Sequence, residues 1–338
     1  MSLFSLREWW RVRQGDGLEE FDQTSMCVGN VDNSPRARTK IVTGSFSGML
    51  RIYQPSGSEY LPSDLLLESQ MAEPILQVAI AHFLPGAPNA LAVLHPRCLE
   101  VYQVTRPRTA ADDEVPFLEM QRQRQHAIPH TAANFCFGRF RGDTSADQIL
   151  VQAYDGQVYI FENGSLIQTT FFEDFLVPGP IVFARDTDSI ITCSSAFELQ
   201  SFSYLSLVQA SVTKSEAAAA HAGHALSKQK TPSPQWKVLL GELAADIQLT
   251  GSDIEDGMSD IVVVGERTVA VCSQYGELKF QRRLDYHPAA VTSYRCAYPT
   301  SFVPGQSFRM NSSFRGGLET GRNAPDMHGA GSLQATRT

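Results

Sequence analysis

Ile149-Leu150-Val151-Gln152-Ala153-Tyr154, Asp155-Gly156, Gln157-Val158-Tyr159-Ile160-Phe161 reads as two apolar strands joined by a tight turn. Asp and Gly tolerate the positive φ that matches strand twist, so Asp155-Gly156 is expected at the centre of a hairpin. The same pattern recurs four times. It appears as Lys40-Ile41-Val42-Thr43-Gly44 through Gly48 to Leu50-Arg51-Ile52-Tyr53, and as Leu91-Ala92-Val93-Leu94-His95 with Leu99-Glu100-Val101-Tyr102. It returns as Ile190-Ile191-Thr192-Cys193 with Phe197-Glu198-Leu199-Gln200-Ser201-Phe202, and as Ile261-Val262-Val263-Val264 with Val269-Ala270-Val271-Cys272. Copies begin at Ile41, Leu91, Ile149, Ile190 and Ile261, spaced by 50, 58, 41 and 71 residues. Those spacings are the lengths of propeller blades with loop insertions, and are too long for leucine-rich or hexapeptide repeats. An all-β propeller of about five to six blades is predicted over 1–299, with a two-sheet sandwich as the second reading.

A further strand precedes several copies. Cys27-Val28-Gly29-Asn30-Val31, Gln77-Val78-Ala79-Ile80-Ala81-His82-Phe83, Asn134-Phe135-Cys136-Phe137-Gly138 and Asp246-Ile247-Gln248-Leu249 occupy this slot. Their alternation sets one face against a neighbouring sheet. Aromatics at strand ends (Tyr53, Tyr102, Phe161, Phe202) are expected to pack between blades. Residues 213–235, with an alanine run and Pro232-Ser233-Pro234, read as a flexible insertion. Residues 300–338, rich in Gly, Ser, Asn and Arg, read as a disordered tail.

Bulk properties exclude several classes. A net charge of −8 and a pI near 5.5 argue against a nucleic-acid footprint, which shows as a basic stripe. The longest apolar runs are strand-sized, far short of the roughly 20 residues of a membrane-spanning helix. Arg7 and Glu8 interrupt the opening Met1-Ser2-Leu3-Phe4-Ser5-Leu6 before an apolar signal core develops, so a cytosolic chain is expected. Cys27, Cys98, Cys136, Cys193, Cys272 and Cys296 are scattered without a C-x-x-C pair. They read as reduced, mostly buried hydrophobes.

Chemistry is sparse. Gly44-Ser45-Phe46-Ser47-Gly48 resembles a nucleophile elbow but places Phe46 where the nucleophile belongs. His126 and His130 are four apart, yet Pro129 spoils the helix that would align them as metal ligands; His221 and His224 lie in the insertion. Asp253, Glu255, Asp256 and Asp260 around Gly257, the pair Asp143 and Asp147, and Asp32-Asn33-Ser34-Pro35 all lack the regular alternation of a calcium loop. Turn-forming aspartates are the expected reading there. No catalytic, cofactor-binding or metal residue is nominated, and no cofactor is expected. A propeller hydrolase or lyase with charged residues at a channel mouth is the competing functional class, and a calcium-dependent adhesion propeller a third.

Several segments occur in a recognisable order. They are Met1-Ser2-Leu3-Phe4 with Trp9-Trp10, Glu20-Phe21-Asp22-Gln23, Asn30-Val31-Asp32-Asn33-Ser34, Asp64-Leu65-Leu66-Leu67-Glu68 and Pro74-Ile75-Leu76-Gln77-Val78. Phe175-Leu176-Val177-Pro178-Gly179-Pro180, Arg185-Asp186-Thr187-Asp188-Ser189, Val264-Gly265-Glu266-Arg267 and Leu284-Asp285-Tyr286 follow. Together they resemble the amino-terminal propeller of the parathyroid-hormone-responsive B1 family, a subunit of the BBSome (the Bardet–Biedl syndrome complex), over roughly residues 1–298. The resemblance implies a seven-bladed propeller that is incomplete here. It also implies a non-catalytic scaffold in a coat-like complex serving ciliary membrane-protein trafficking, intraflagellar transport and cilium assembly. Implied partners are other BBSome subunits and, indirectly, membrane-protein cargo, with no nucleic acid and no small-molecule substrate. The implied location is the cytoplasm, the cilium or flagellum, the basal body and, peripherally, the ciliary membrane. An incomplete ring leaves apolar sheet faces uncovered, so poor solubility is expected.

Overall fold

The computed structural model describes residues 8–13, 17, 19–36, 38–107, 117–142, 144–172, 177–210, 231–250 and 259–293, and the backbone of 332–335. Two compact units are present, one formed by Met1–Gln125 with Ser313–Thr338, the other by His126–Ser312. The expected insertion lies mainly outside the described residues, which resume at Thr231. So does the expected tail, except for four residues taken up below.

Strands pair in chain order into five four-stranded antiparallel sheets, the arrangement of propeller blades. The first unit holds β2 (Met26–Gly29), β3 (Lys40–Gly44), β4 (Met49–Tyr53) and β5 (Leu65–Gln70), then β6 (Gln77–Ala81), β7 (Ala90–Leu94), β8 (Cys98–Thr105) and β9 (Glu119–Ala127). The second unit opens with the sheet β10 (Ala132–Gly138), β11 (Gln148–Ala153), β12 (Gln157–Glu162) and β13 (Ser165–Phe171). Next come β14 (Ile181–Ala184), β15 (Ser189–Cys193), β16 (Glu198–Ser203) and β17 (Trp236–Leu239). Its last sheet is β18 (Ala244–Leu249), β19 (Ile261–Gly265), β20 (Thr268–Cys272) and β21 (Leu278–Arg283).

The five repeated hairpins are the middle pairs of these sheets. Both faces of their strands are buried, as in β3, β7, β11 and β19, because each middle strand is covered front and back. Stacking buries facing apolar rows. In the first unit Val42, Leu50, Ile52 and Leu67 meet Val78, Leu91 and Val93. In the second, Leu150, Val158 and Ile160 meet Phe183, Ile190 and Phe202, while Ile191, Cys193 and Leu199 meet Ile247, Ile261 and Val263. Polar outermost strands need no such pattern: β9 is mostly exposed and β21 exposed throughout.

The central turn differs in type from the expected one. The Gly156 amide donates to the Ala153 carbonyl (3.1 Å), so Tyr154 and Asp155 are the central residues, and only Gly156 is left-handed, at φ +80°. This pattern fits a type I turn followed by a left-handed glycine. Asp155 Oδ1 accepts from the Gln157 amide (3.1 Å).

At Gly138, on β10, sheet stacking leaves no room for a side chain. A Cβ there would lie 2.2 Å from Phe183 Cδ1 in the next sheet. Gly138→Ala is expected to destabilise the second unit by about 1–3 kcal/mol through overpacking. Thermal unfolding checks this, and an unchanged midpoint refutes it.

The far face of the first sheet is covered by β1 (Trp10–Arg13), whose residues alternate buried and exposed. Trp10 and Val12 pack on Ile41 and Tyr53. Tyr53 therefore packs against β1, a correction to the expected contact between blades. The edge of β1 pairs antiparallel with β22 (Ser332–Ala335) in the register Trp10↔Ala335 to Arg13↔Ser332.

Candidate protein-interaction surface and buried polar clusters

Two buried polar clusters of the first unit concern residues weighed in the sequence or join neighbouring strands. In the loop before β3, Asn30, Asp32 and Ser34 converge on Lys40, the first residue of that strand. Lys40 and Asp32 are an ion pair with both side chains fully buried. Lys40 Nζ also donates to Ser34 Oγ (2.8 Å) and Asn30 Oδ1 (3.3 Å), and Arg106 Nε donates to Asp32 Oδ2 (2.9 Å). Burial pushes the Asp32 carboxyl up, but the hydrogen bonds from Lys40 and Arg106 outweigh it and hold it below its ordinary range. Burial of the Lys40 ammonium outweighs its attraction to Asp32 and lowers its affinity for protons. Asp32, expected as a turn aspartate, is thus half of a buried charge pair that also bonds the Ser34 amide (3.3 Å).

The second cluster spans β7 to β9. Glu100, buried, accepts from the Tyr102 hydroxyl and from Arg122 Nη1 (2.8 Å). His95 Nδ1 meets the Pro74 carbonyl (2.8 Å), and its Nε2 lies 3.5 Å from Glu100. Burial raises Glu100, yet the bonds from Tyr102 and Arg122 and the charge of His95 outweigh it, so its carboxyl titrates below the ordinary range. The Tyr102 hydroxyl is pushed well up by burial and by Glu100.

Asp32 and Glu100 have folded pKa values below their unfolded ones of about 3.9 and 4.3, so they stabilise the fold above those values. That stability is lost as pH falls through the folded values. Acid titration followed by circular dichroism should show the chain tolerating pH 5 and losing stability below about pH 4. D32N should reduce that slope; an unaltered acid limb in D32N refutes the assignment.

In the second unit, Asp186 Oδ2 accepts from Gln274 Nε2 (2.9 Å) and the Ser259 amide (3.2 Å), while Trp236 Nε1 donates to the Gln274 carbonyl (2.9 Å). These bonds tie the fourth sheet to the fifth. Glu242 accepts from the Thr268 amide (2.8 Å) and hydroxyl, closing the turn after β19.

The residues weighed as ligands are not brought together. His126 stacks on Phe161 at 4.8 Å, and His130 Nδ1 faces Asp155 Oδ2 at 3.3 Å, at opposite ends of β12. Asp147 lies 3.8 Å from Arg139, and Asp260 is paired with Lys279 at 2.6 Å. Asp143, His221, His224, Asp253, Glu255 and Asp256 lie outside the described residues. Among the described residues no group of three or more His, Cys, Asp or Glu side chains could hold a metal. Cys98, Cys136, Cys193 and Cys272 are buried and form no disulfide. Burial drives the Cys193 thiol to about 12 and Cys272 to about 11, so thiolate at neutral pH is suppressed. Tyr102 and Phe202 do pack between sheets, as expected. No described helix is long and apolar enough to cross a membrane.

Some large apolar side chains also face outward. In the turn after β15, Phe197 holds φ +61°, at the position where equivalent turns carry Gly48 and Gly156. Its ring is 44% exposed, beside Val177 at 54% and Leu239 at 72%. The Leu240 amide bonds the Phe197 carbonyl (2.8 Å), and the Val177 amide bonds Ser195 Oγ (2.9 Å), so all three share one end of the fourth sheet. Left-handed backbone at a bulky residue costs about 1–2 kcal/mol. Phe197→Gly should therefore stabilise the unit by up to about 1 kcal/mol, glycine's added chain entropy taking back part of the relief. A lowered melting midpoint overturns this.

A family model described as PTHB1 N-terminal matches residues 1–303. The chain belongs to the PTHB1 N-terminal family. Protein PTHB1 of Xenopus laevis is 35% identical over 308 residues, covering 90% of this chain and 35% of that protein. Protein PTHB1 of Homo sapiens is 35% identical over 299 residues, 87% of this chain and 33% of that protein. The Caenorhabditis elegans homologue is 26% identical over 297 residues. The chain thus spans about a third of the length of these PTHB1 relatives. Among solved structures, Chaetomium thermophilum Sqt1 bound to the N-terminus of ribosomal protein L10 is similar with a TM-score of 0.50 at 11% identity, covering 78% of this chain and 64% of that one. BBS1N in complex with ARL6DN is similar with a TM-score of 0.46 at 12% identity. The Sqt1 likeness concerns the fold, which is that of a β-propeller with five four-stranded blades among the described residues.

Proposed function

We propose that this PTHB1-family chain is a non-catalytic scaffold that binds other proteins within the BBSome, the complex that moves membrane proteins to and from cilia. One observation carries the scaffold reading. The described ionisable clusters are consumed by the fold, as Lys40–Asp32–Arg106 and Glu100–Tyr102–Arg122 are, while apolar side chains such as Phe197 and Leu239 stand in solvent. Stacked sheets fix a frame, and their turns supply variable contacts. Assignment to the BBSome, to the cilium, its base and its membrane, and to partners among BBSome subunits rests on family likeness.

Affinity purification of the tagged chain from ciliated cells tests the reading. Recovery of other BBSome subunits supports it, and their consistent absence overturns assembly into that complex. Turnover of a hydrolase or lyase substrate by the purified chain would overturn the non-catalytic part.

A further inference from the structure

Four buried polar atoms of the second unit have no hydrogen-bond partner among the described residues: Gln152 Nε2 and Oε1, Asn134 Oδ1 and Ser194 Oγ. Gln152 is 0% exposed and Ser194 1%. An amide shut away from solvent with both ends unpaired is costly, so native proteins give such groups a partner.

The topology brings these atoms to one end of the gap between the third and fourth sheets. Alternation along β11 puts Gln152 on the face of Leu150, which packs against Phe183 and Ile190 of the fourth sheet. Asn134 stands opposite Gln152 in the register of β10 and β11, on the face of Cys136. Its Nδ2 donates to the Gly179 carbonyl at 2.9 Å, just before β14. From the other side, Ser194 continues β15, its amide bonding the Glu198 carbonyl (2.8 Å). Ile190 packs toward the third sheet and Cys193 toward the fifth, so alternation turns Ser194 back to the third.

The first unit closes the corresponding seam with hydrocarbon. Gly44 stands immediately before the turn Ser45–Gly48, as Gln152 stands before Ala153–Gly156. Ile75, 0% exposed, fills the space over Gly44: its Cγ2 lies 2.5 Å from where a Cβ on that glycine would be. In the second unit the sizes are exchanged. Gly179 precedes β14 by two residues, as Ile75 precedes β6, and Gln152 supplies the bulk from the facing strand. A Cβ on Gly179 would lie 2.4 Å from the Cys193 carbonyl, so no apolar side chain can reach in from there.

The chemistry of the four atoms selects the occupant. The two amide oxygens only accept, the Gln152 nitrogen only donates, and the serine hydroxyl does either. No charged side chain belongs to the set. An ion would satisfy one polarity and leave the other unmet, whereas water both donates and accepts. We propose that an internal water molecule is held between the third and fourth sheets by Gln152, Asn134 and Ser194, as a fixed part of the fold. This inference stands apart from the scaffold reading.

A crystal structure of the whole chain and thermal unfolding of two variants test it. Density is expected for a water within about 2.7–3.2 Å of Gln152 and of Asn134 or Ser194. Gln152→Met keeps the length of the side chain and removes its polar end. With the water in place it should lower the melting midpoint by a few degrees, because Asn134 and Ser194 lose their share of the bridge. Relief of a dry, unpaired amide would raise the midpoint instead. Ser194→Ala should cost less in the Gln152→Met background than in the parent, since both residues act through one molecule.

A raised midpoint in Gln152→Met, or additive effects of the two substitutions, overturns the proposal. So does a direct bond between the Gln152 and Asn134 amides without density for water, whatever the variants do.

Discussion

Lys40→Met will lower the stability of the first unit by about 3–5 kcal/mol, the usual cost of removing one partner from a buried ion pair. Lys40 and Asp32 are both fully buried, so the loss leaves a carboxylate facing methionine where an ammonium stood. Arg106 still reaches Asp32, but its side chain is 37% exposed and screened by water, so it repairs only part of the deficit. The decisive comparison is the double variant Asp32→Leu with Lys40→Met. Replacing both charges by apolar groups of similar size is often close to neutral. Chemical denaturation of the two proteins should therefore show the double variant recovering most of what the single one loses. Equal instability of both would mean the loop Asn30–Ser34 depends on shape rather than charge.

Trp10→Ala is expected to cost about 3–5 kcal/mol, the range for truncating a fully buried large aromatic. The indole is 1% exposed and lies 5.6 Å from the Tyr53 ring and 6.0 Å from that of Tyr60. Its Nε1 donates to Asp64 Oδ2 at 3.2 Å. Asp64 is a buried carboxylate that also accepts from the Ser56 amide and hydroxyl and from the Leu61 amide. Losing the indole thus opens a void and removes one donor from a carboxylate that cannot reach water. Trp10→Phe keeps an aromatic ring and drops the donor, so it should cost roughly 1–3 kcal/mol, the worth of one hydrogen bond to a charged acceptor. Hydrogen exchange gives a local readout: amides of β3 and β4 should lose protection in Trp10→Ala before those of β7. Uniform loss across both sheets would contradict a local role for β1.

The repeated hairpins are legible in sequence because their strands are buried on both faces. Ile261–Val264 is therefore continuously apolar and Ile149–Ala153 is apolar but for the buried Gln152, and glycine marks several of the turns. The outermost strands are not legible for the converse reason. Leu278–Arg283 touches solvent along its whole length, so its residues carry no period that burial could impose. Lys40 misleads in a different way. A lysine opening a strand looks like a solvated charge, and only folding brings Asp32 and Arg106 onto it from loops 8 and 66 residues away. Asp155-Gly156 marks the turn's place but not its geometry, since Asp-Gly suits either of two turns and the Ala153 carbonyl selects one.

Because each blade is a consecutive run of the chain, what joins its third and fourth strands can vary with little effect on the rest. In the fourth sheet, β16 stops at Ser203 and β17 starts at Trp236, yet Glu198↔Leu239 through Ser201↔Trp236 pair in register. Closing a longer connection costs only about 0.6 kcal/mol per doubling of its length. Evolution can therefore enlarge such a connection into a new appendage without disturbing the frame, and a reporter domain can be grafted at the same point.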